Sequence, residues 1–384
     1  MKRILIKTSL QYQLVVLLLV SFSSCKQNDT SFINYQANQY SEFILDMKSK
    51  GLSTGNILVY ENGEIIFQSS NGLRSIDPID SLTLNSQFRL ASVSKQFTSV
   101  VIMKLKQEGK LDYDQRVSTI LNDFPHDNIT IKHLLQHTSG ISDYIKIINE
   151  NYVPQNSTKR NILGNNEILD IFYNSNPKLK FQPGEKYEYS NTGYLVLASI
   201  VEEVSKQHFR EFLKENIFDP LNMNNTLLYS YKEGYDSDMP NRVFGYSLNE
   251  DKDGYELNDY HIVNDVRGDG GIYSTINDLF KWNMALLDYK VVPKKLLDEA
   301  WRVGTLNNGE DSGYGYGWVI GDSSKPKSVF HSGGWVGFAT YLYNEIETNS
   351  GFIILTNNSS RLILESIKKI NDIRAGVALD LPKT

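Results

Sequence analysis

Between residues 40 and 375 the spacing of apolar positions changes several times. Tyr40 to Lys50 has helical spacing through Phe43, Ile44 and Met47, and stops at Gly51. Two apolar runs, Asn56 to Tyr60 and Glu64 to Gln68, flank Asn62-Gly63, a dipeptide suited to the two left-handed positions of a tight hairpin. Val93 to Glu108 puts Phe97, Val100, Val101 and Leu105 on one helical face and ends at Gly109. Thr130 is placed to cap a short helix through Gln136. Asn166 to Tyr173, Thr192 to Val204 and Phe209 to Ile217 repeat the helical spacing, and Thr275 with Asp278 opens a further helix to Leu287. Beyond it the period shortens. Gly317 to Ile320, Ser328 to His331, Ala339 to Tyr343 and Phe352 to Thr356 read as strands, and Ile363 to Ile373 as a closing helix. A sheet whose strands come from both ends of the chain implies one α/β unit interrupted by a helical insertion, with a ligand site expected at the seam.

The first residues follow a different pattern. Lys2, Arg3 and Lys7 precede an unbroken apolar run, Leu14 to Val20, and then Ser21, Phe22, Ser23, Ser24 and Cys25. This is the layout of a secretory signal, with an apolar run shorter than the roughly 20 residues of a membrane span. Ser23 and Ser24, directly before the chain's one cysteine, resemble a bacterial lipoprotein cleavage site with the lipid on Cys25. Phe22 stands where such sites usually carry leucine, and the alternative is a plain secreted protein with an incidental cysteine. The expected division is a signal over 1–24, a polar tether over 25–40, and a folded domain over 41–375. Within that domain an α/β lobe is expected from 41–88 and 263–375, and a helical lobe from 89–262. The protein so read is exported and lipid-anchored to a bacterial membrane, in the periplasm or on the cell surface.

Composition narrows function more than fold. The 384 residues are 40% hydrophobic and 22% charged, as in an ordinary globular protein. A net charge of −6 argues against a nucleic-acid partner, which needs a basic surface. One cysteine excludes an internal disulfide, a four-cysteine zinc site and an iron–sulfur cluster. With Cys25 taken as an anchor, covalent catalysis falls to serine.

Two serine patterns occur. Gly51-Leu52-Ser53-Thr54-Gly55 matches the G-x-S-x-G nucleophile elbow, but that elbow needs a strand before and a helix after, and here the order is reversed. It reads as a turn. Ser92-Val93-Ser94-Lys95 opens a helix, and residues three apart share a helix face. A serine hydroxyl needs a base, and a lysine can serve when burial or a nearby positive charge lowers its pKa. The helix start also offers free N–H groups to an oxyanion. Tyr189-Ser190-Asn191 precedes another helix and combines a phenol with an amide that both donates and accepts. His331-Ser332-Gly333-Gly334 ends a predicted strand, where glycines admit a close backbone approach.

Ser92-x-x-Lys95, Tyr189-x-Asn191 and His331-x-Gly333, in that order, resemble the penicillin-recognising serine hydrolases, above all the branch of class C β-lactamases, D-aminopeptidases, DD-peptidase-like proteins and esterases. Phe88 to Gly109, His133 to Gly140, Ile217 to Thr226 and Gly268 to Trp282 match as well, so the resemblance covers most of residues 41–370. It implies a β-lactamase-like α/β fold, an antiparallel sheet flanked by helices with a large all-helical insertion. It also implies that Ser92 is acylated and that Lys95 and Tyr189 shuttle its proton as a coupled pair. Asn191 and His331-x-Gly333 then position substrate, and the N–H groups of Ser92 and Gly334 form the oxyanion hole. No metal or cofactor is implied. The tyrosine at the second motif departs from the Ser-Asp-Asn of class A enzymes, and His331 replaces the lysine of Lys-Thr-Gly. A mostly neutral imidazole is a weak anchor for a β-lactam carboxylate.

His133 and His137 have the i,i+4 spacing of a zinc pair, but position 134 is Leu rather than the Glu of H-E-x-x-H, so they are assigned a structural role under the active site. Gly313 to Trp318, Gly-Tyr-Gly-Tyr-Gly-Trp, reads as a strand leading into the core sheet rather than a sugar-stacking surface. The resulting expectation is an extracytoplasmic serine hydrolase acting on an amide or ester of a small molecule or peptide, including D-amino-acid peptides. The alternatives are a class C-like β-lactamase and a non-catalytic binding lipoprotein on the same fold. Retention of all three motifs favours the enzyme.

Overall fold

A computed structural model describes residues 25–49, 55–153, 162–232, 239–249, 251, 254–322, 327–358 and 362–377. The signal segment 1–24 and residues 51–54 of the G-x-S-x-G match lie outside the described residues. The chain opens with α1 (Cys25–Ser49), the hairpin β1 (Gly55–Glu61) and β2 (Glu64–Asn71), and three short strands, β3 (Leu73–Ser75), β4 (Asp80–Ser81) and β5 (Phe88–Arg89). Six helices follow: α2 (Lys95–Gln107), α3 (Ile131–Leu135), α4 (Tyr144–Asn151), α5 (Asn165–Ser175), α6 (Asn191–Ser205) and α7 (Phe209–Leu213). Then come β6 (Leu227–Leu228), β7 (Tyr246–Leu248), β8 (Tyr255–Leu257), β9 (Ile272–Ser274), α8 (Ile276–Leu287) and α9 (Lys294–Ala300). The chain closes with β10 (Val319–Ile320), β11 (Ser328–Trp335), β12 (Phe338–Glu345), β13 (Ser350–Thr356) and α10 (Leu362–Arg374).

Two units emerge. The terminal one contains α1 and most of α10, where Gln36 Nε2 donates to the carbonyl of Ile373 at 3.3 Å. The stretch expected to be a polar tether is helical and continuous with Tyr40 to Met47. No glycine or proline interrupts residues 25–49, so the helix has nothing to break it before Gly51.

The main unit, residues 52–364, is built on an antiparallel six-stranded sheet in the order β10-β11-β12-β13-β1-β2. Strands from both ends of the unit meet where β1 pairs with β13, Gly55 opposite Thr356. The Asn62-Gly63 turn has positive φ at both residues, 53° and 80°, as a type I′ hairpin requires. On one face of the sheet, α8 packs Phe280 edge-on against Tyr60, with centroids 5.3 Å apart. The interposed middle is mainly helical, with β6 joining β5 and β9 in a small sheet and β7 pairing with β8. At its centre α2 is buried almost all round, beyond the one face its periodicity marks, and Phe97 stacks on Trp282 at 4.2 Å. The strands β3 to β9 are too short to leave a periodic signal, and α4 and α9 were not expected either.

Candidate active site

Ser92 sits in a 3₁₀ turn, Ala91–Ser94, that runs directly into α2. Ala91 before it is held at φ +48°, a conformation that L residues rarely adopt. The approach is pinned from two sides. Leu90 N–H donates to the carbonyl of Ile272 at 2.8 Å, and Thr340 Oγ1 donates to the carbonyl of Leu90 at 2.7 Å.

One turn on, Lys95 is fully buried. Its Nζ donates to Ser92 Oγ at 3.1 Å, to Asn191 Oδ1 at 2.8 Å and to the backbone carbonyl of Asp269 at 3.0 Å. Burial lowers its pKa to about 8, against the pull of Asp269 and Asp143 in the other direction. Nζ also lies 4.9 Å from the centre of the Tyr189 ring. The Tyr189 hydroxyl is buried without a settled hydrogen-bond partner. Burial raises its pKa, and the neighbouring Ser92 draws it partly back. At neutral pH the phenol is therefore protonated, and Lys95 is the member of the pair that titrates nearer neutrality.

Asn191, the first residue of α6, owes its orientation to Asp143. Asp143 Oδ2 accepts from the Asn191 backbone N–H at 2.9 Å and from Nδ2 at 3.0 Å, which turns Oδ1 toward Lys95. The other carboxylate oxygen, Oδ1, caps α4 through Ile145 N–H at 3.0 Å. No motif marks Asp143. Its one local signal is its place as an N-cap three residues after Gly140.

The β11–β12 hairpin supplies the facing wall. A two-residue turn, Val336-Gly337, makes Trp335 and Phe338 a hydrogen-bonded pair, so the next pair, Gly334 and Ala339, points its N–H groups away from the partner strand. The Gly334 N–H is thereby turned to the open edge, where the wall of the Ser92 pocket includes Gly334. Gly333 faces the other way. A Cβ there would lie 2.2 Å from the carbonyl oxygen of Leu90, so only glycine lets β11 come this close to the segment that leads into Ser92.

His331, expected at the substrate, is instead turned inward. Its position on β11 shares the buried phase of Val329 and Gly333. Nδ1 donates to the carbonyl of Ser332 at 2.6 Å, and Nε2 accepts from the Tyr314 hydroxyl at 2.9 Å. Burial and the charge of Lys95 lower its pKa to about 3, so the ring is neutral and both nitrogens are engaged. His133 and His137 do not share a helix face, because α3 ends at Leu135 and His137 is left-handed at φ +56°. His133 closes a capping box with Thr130. His137 packs against Tyr189, with ring centres 4.2 Å apart, and its Nδ1 accepts from Ser190 N–H at 3.2 Å. This matches the structural role under the site expected of it from sequence, with Tyr189 as the residue it supports.

A serine bonded to a buried lysine, with a tyrosine and an outward N–H around it, defines a serine hydrolase with a β-lactamase-like fold. The chain belongs to the Beta-lactamase family, whose model matches residues 43–364. It is 34% identical over 339 residues to penicillin-binding protein 4* of Bacillus subtilis (strain 168), covering 86% of this chain and 74% of that one. Protein flp of Staphylococcus aureus (strain NCTC 8325 / PS 47) is 25% identical over 85% of this chain, which spans 64% of that protein. The octameric penicillin-binding protein homologue from Pyrococcus abyssi superposes with a TM-score of 0.71 at 26% identity, over 84% of this chain and 73% of that one. The D-amino acid amidase of Ochrobactrum anthropi SV3 shares the fold, with a TM-score of 0.72 at 21% identity over 89% of this chain and 98% of that one.

Proposed function

We propose that the protein is an exported, lipid-anchored hydrolase that cleaves an amide or ester through an acyl-enzyme on Ser92. One observation carries this reading: Lys95 Nζ, buried and of lowered pKa, is hydrogen-bonded to Ser92 Oγ. In the step so read, Ser92 Oγ bonds to the acyl carbon and gives its proton to Lys95. The N–H groups of Ser92 and Gly334 take the developing oxyanion. The acyl–leaving-group bond breaks as Tyr189, resupplied from Lys95, protonates the departing amine or alcohol. Water then cleaves the ester on Ser92, releasing the acid and restoring the hydroxyl. A dedicated β-lactamase is the weaker reading, because His331 puts no cation where the Lys-Thr-Gly lysine would stand.

The test is intact mass. The protein lacking residues 1–24 is incubated with a penicillin and, separately, with an activated acyl ester. An adduct that disappears in Ser92→Ala supports the reading; no adduct from either reagent, or one that survives the substitution, overturns it. The anchor reading rests on Cys25 and the apolar run before it. Among the described residues no helix is long and apolar enough to cross a membrane. Cys25→Ser is expected to move the protein from the membrane fraction to the soluble exported one, and retention in the membrane would contradict the anchor.

A further inference from the structure

A groove apart from the Ser92 pocket opens between the β3–β4 turn, the β7–β8 hairpin and the residues that follow β13. Ile76, Phe244, Tyr246, Tyr255 and Leu257 make its larger part, of about 350 Å³, mostly apolar. An adjoining apolar space of about 140 Å³ shares Ile76, Tyr246 and Tyr255 and reaches Leu73 and Asn357. Together they have room for a small organic molecule. No residue that lines this groove lines the Ser92 pocket.

The walls are tied to one another across the gap. Asn357 Nδ2 donates to the carbonyls of Leu73 and Phe244, both at 2.9 Å. Tyr246 N–H donates to the Asn357 carbonyl at 2.9 Å, and the Tyr246 hydroxyl accepts from Ile76 N–H at 2.9 Å. Three distant stretches of chain are therefore held in place while the space between them stays unfilled. A ligand that enters walls already fixed loses little in ordering them. Among the described residues neither Tyr246 nor Tyr255 packs against another aromatic ring or a cation. On β8, Tyr255 and Leu257 share the groove side, with Leu257 65% exposed at the rim.

One charge faces this apolar space. Asp77 lines the groove, is exposed, and makes no hydrogen bond or ion pair among the described residues. The nearby cations are engaged elsewhere. Arg74 pairs with Asp80 at 2.5 Å and donates Nη1 to the carbonyl of Pro240 at 2.8 Å. Arg242 lies 4.7 Å from the Phe244 ring centre and is paired with Asp259 at 2.5 Å. Among the described residues no lysine or arginine lines the groove. The Ser75 hydroxyl lines it as well and has no hydrogen-bond partner among them. Alone, a surface carboxylate is satisfied by water. Beside two uncovered tyrosine rings it acts together with them, because a ring face carries partial negative charge. A cation gains from both, an anion is repelled by both, and a neutral molecule gains contact area alone.

We propose that this groove is a second ligand site, selective for a small organic cation: a primary ammonium carried on an aromatic or branched apolar body. The apolar body lies against Tyr246, Tyr255 and Leu257, and the ammonium pairs with the Asp77 carboxylate and donates to the Ser75 hydroxyl. The site is independent of the acyl-enzyme chemistry and stands or falls without it.

Phenethylammonium, 2-phenylethanol and 3-phenylpropanoate share a phenyl-alkyl body and differ in the charge at its end. Each is titrated against the full chain by ligand-observed NMR at low ionic strength, where a surface charge is least screened. Phenethylammonium is expected to bind at least about tenfold more tightly than 2-phenylethanol, with 3-phenylpropanoate the weakest. Asp77→Asn is expected to bring the ammonium and the alcohol within about twofold of each other, and Tyr255→Ala to weaken both by about fivefold or more. Leu257→Lys puts a cation at the exposed rim and is expected to abolish binding of the ammonium, which keeps the test decisive if another variant does not fold. Equal affinity for the three probes, or a preference for the alcohol or the acid, overturns the proposal. So does an ammonium affinity unchanged in the substituted chains, since the cation would then be bound elsewhere.

Discussion

The two sides of Ser92 are built on opposite principles. On the side of Lys95 a hydrogen-bond network is already joined: Lys95 bonds to Ser92, Asn191 and the Asp269 carbonyl, and Asn191 is held by Asp143, while the Tyr189 hydroxyl beside it is buried without a partner. Aromatic rings of Tyr189, His137 and Tyr314 pack together beside this network. On the pocket side Asp269 Oδ2 accepts from the Tyr144 hydroxyl, and the wall is partly open to solvent. Preorganised machinery needs its donors and acceptors fixed before substrate arrives, because reorganising them during the reaction raises the barrier. A recognition pocket instead stays open to water until a substrate group displaces it.

Substitutions that break the joined side are expected to have the largest effects. Ser92→Ala removes the nucleophile, with an expected fall in kcat/KM on the order of 10⁴-fold or more. Asp143→Asn sharpens the comparison. Asparagine still caps α4, so thermal stability changes little, but its amide opposes Asn191 Nδ2 with a donor and frees Asn191 to turn away from Lys95. The expected loss is about tenfold to a hundredfold in kcat with a small change in KM, measured by steady-state kinetics. A fall in melting temperature that accounts for the whole loss would show Asp143 to be structural alone.

Gly333 and Gly334 set the two sides next to each other on one strand. Gly333→Ala drives a Cβ into the Leu90 carbonyl at 2.2 Å and Thr340 Oγ1 at 2.3 Å, with an expected cost of about 1–3 kcal/mol. Gly334→Ala meets nothing within 4 Å and is expected to change stability by less than about 0.5 kcal/mol. Denaturant unfolding of both variants checks the contrast; equal losses would contradict the alternation assigned to β11.

Local chemistry was legible in the sequence where neighbours in the chain carry it. The hairpin about Asn62-Gly63, the Ser92–Lys95 pair on one helix turn and the Thr275 cap are all short-range features, and all three form. Asp143 and Asp269 reach the site across 48 and 174 positions; Asp143 carries no motif, and Asp269 lies in the matching segment Gly268 to Trp282 without any local sign of its contact with Lys95. His331 was misjudged for a different reason. Its motif position suggested a substrate contact, but the alternation of β11 puts it in phase with Val329, and that phase was readable. The polar stretch before Tyr40 was read as a tether from composition, where the lack of any helix breaker was the better signal.

The central claim is that Lys95 activates Ser92, and the rate of acylation against pH tests it most directly. A base must be unprotonated to act, so burial of Lys95, which lowers its pKa to about 8, moves the onset of activity toward neutrality. The single-turnover acylation rate, followed by intact mass with an activated ester, is predicted to rise with pH, reach half its plateau near pH 8, and fall away below that as Lys95 takes up its proton. Lys95→Ala is predicted to abolish this limb and to slow acylation by about 10²–10⁴-fold. An acylation rate independent of pH between about 6 and 10, or a limb that persists unchanged in Lys95→Ala, would contradict the account.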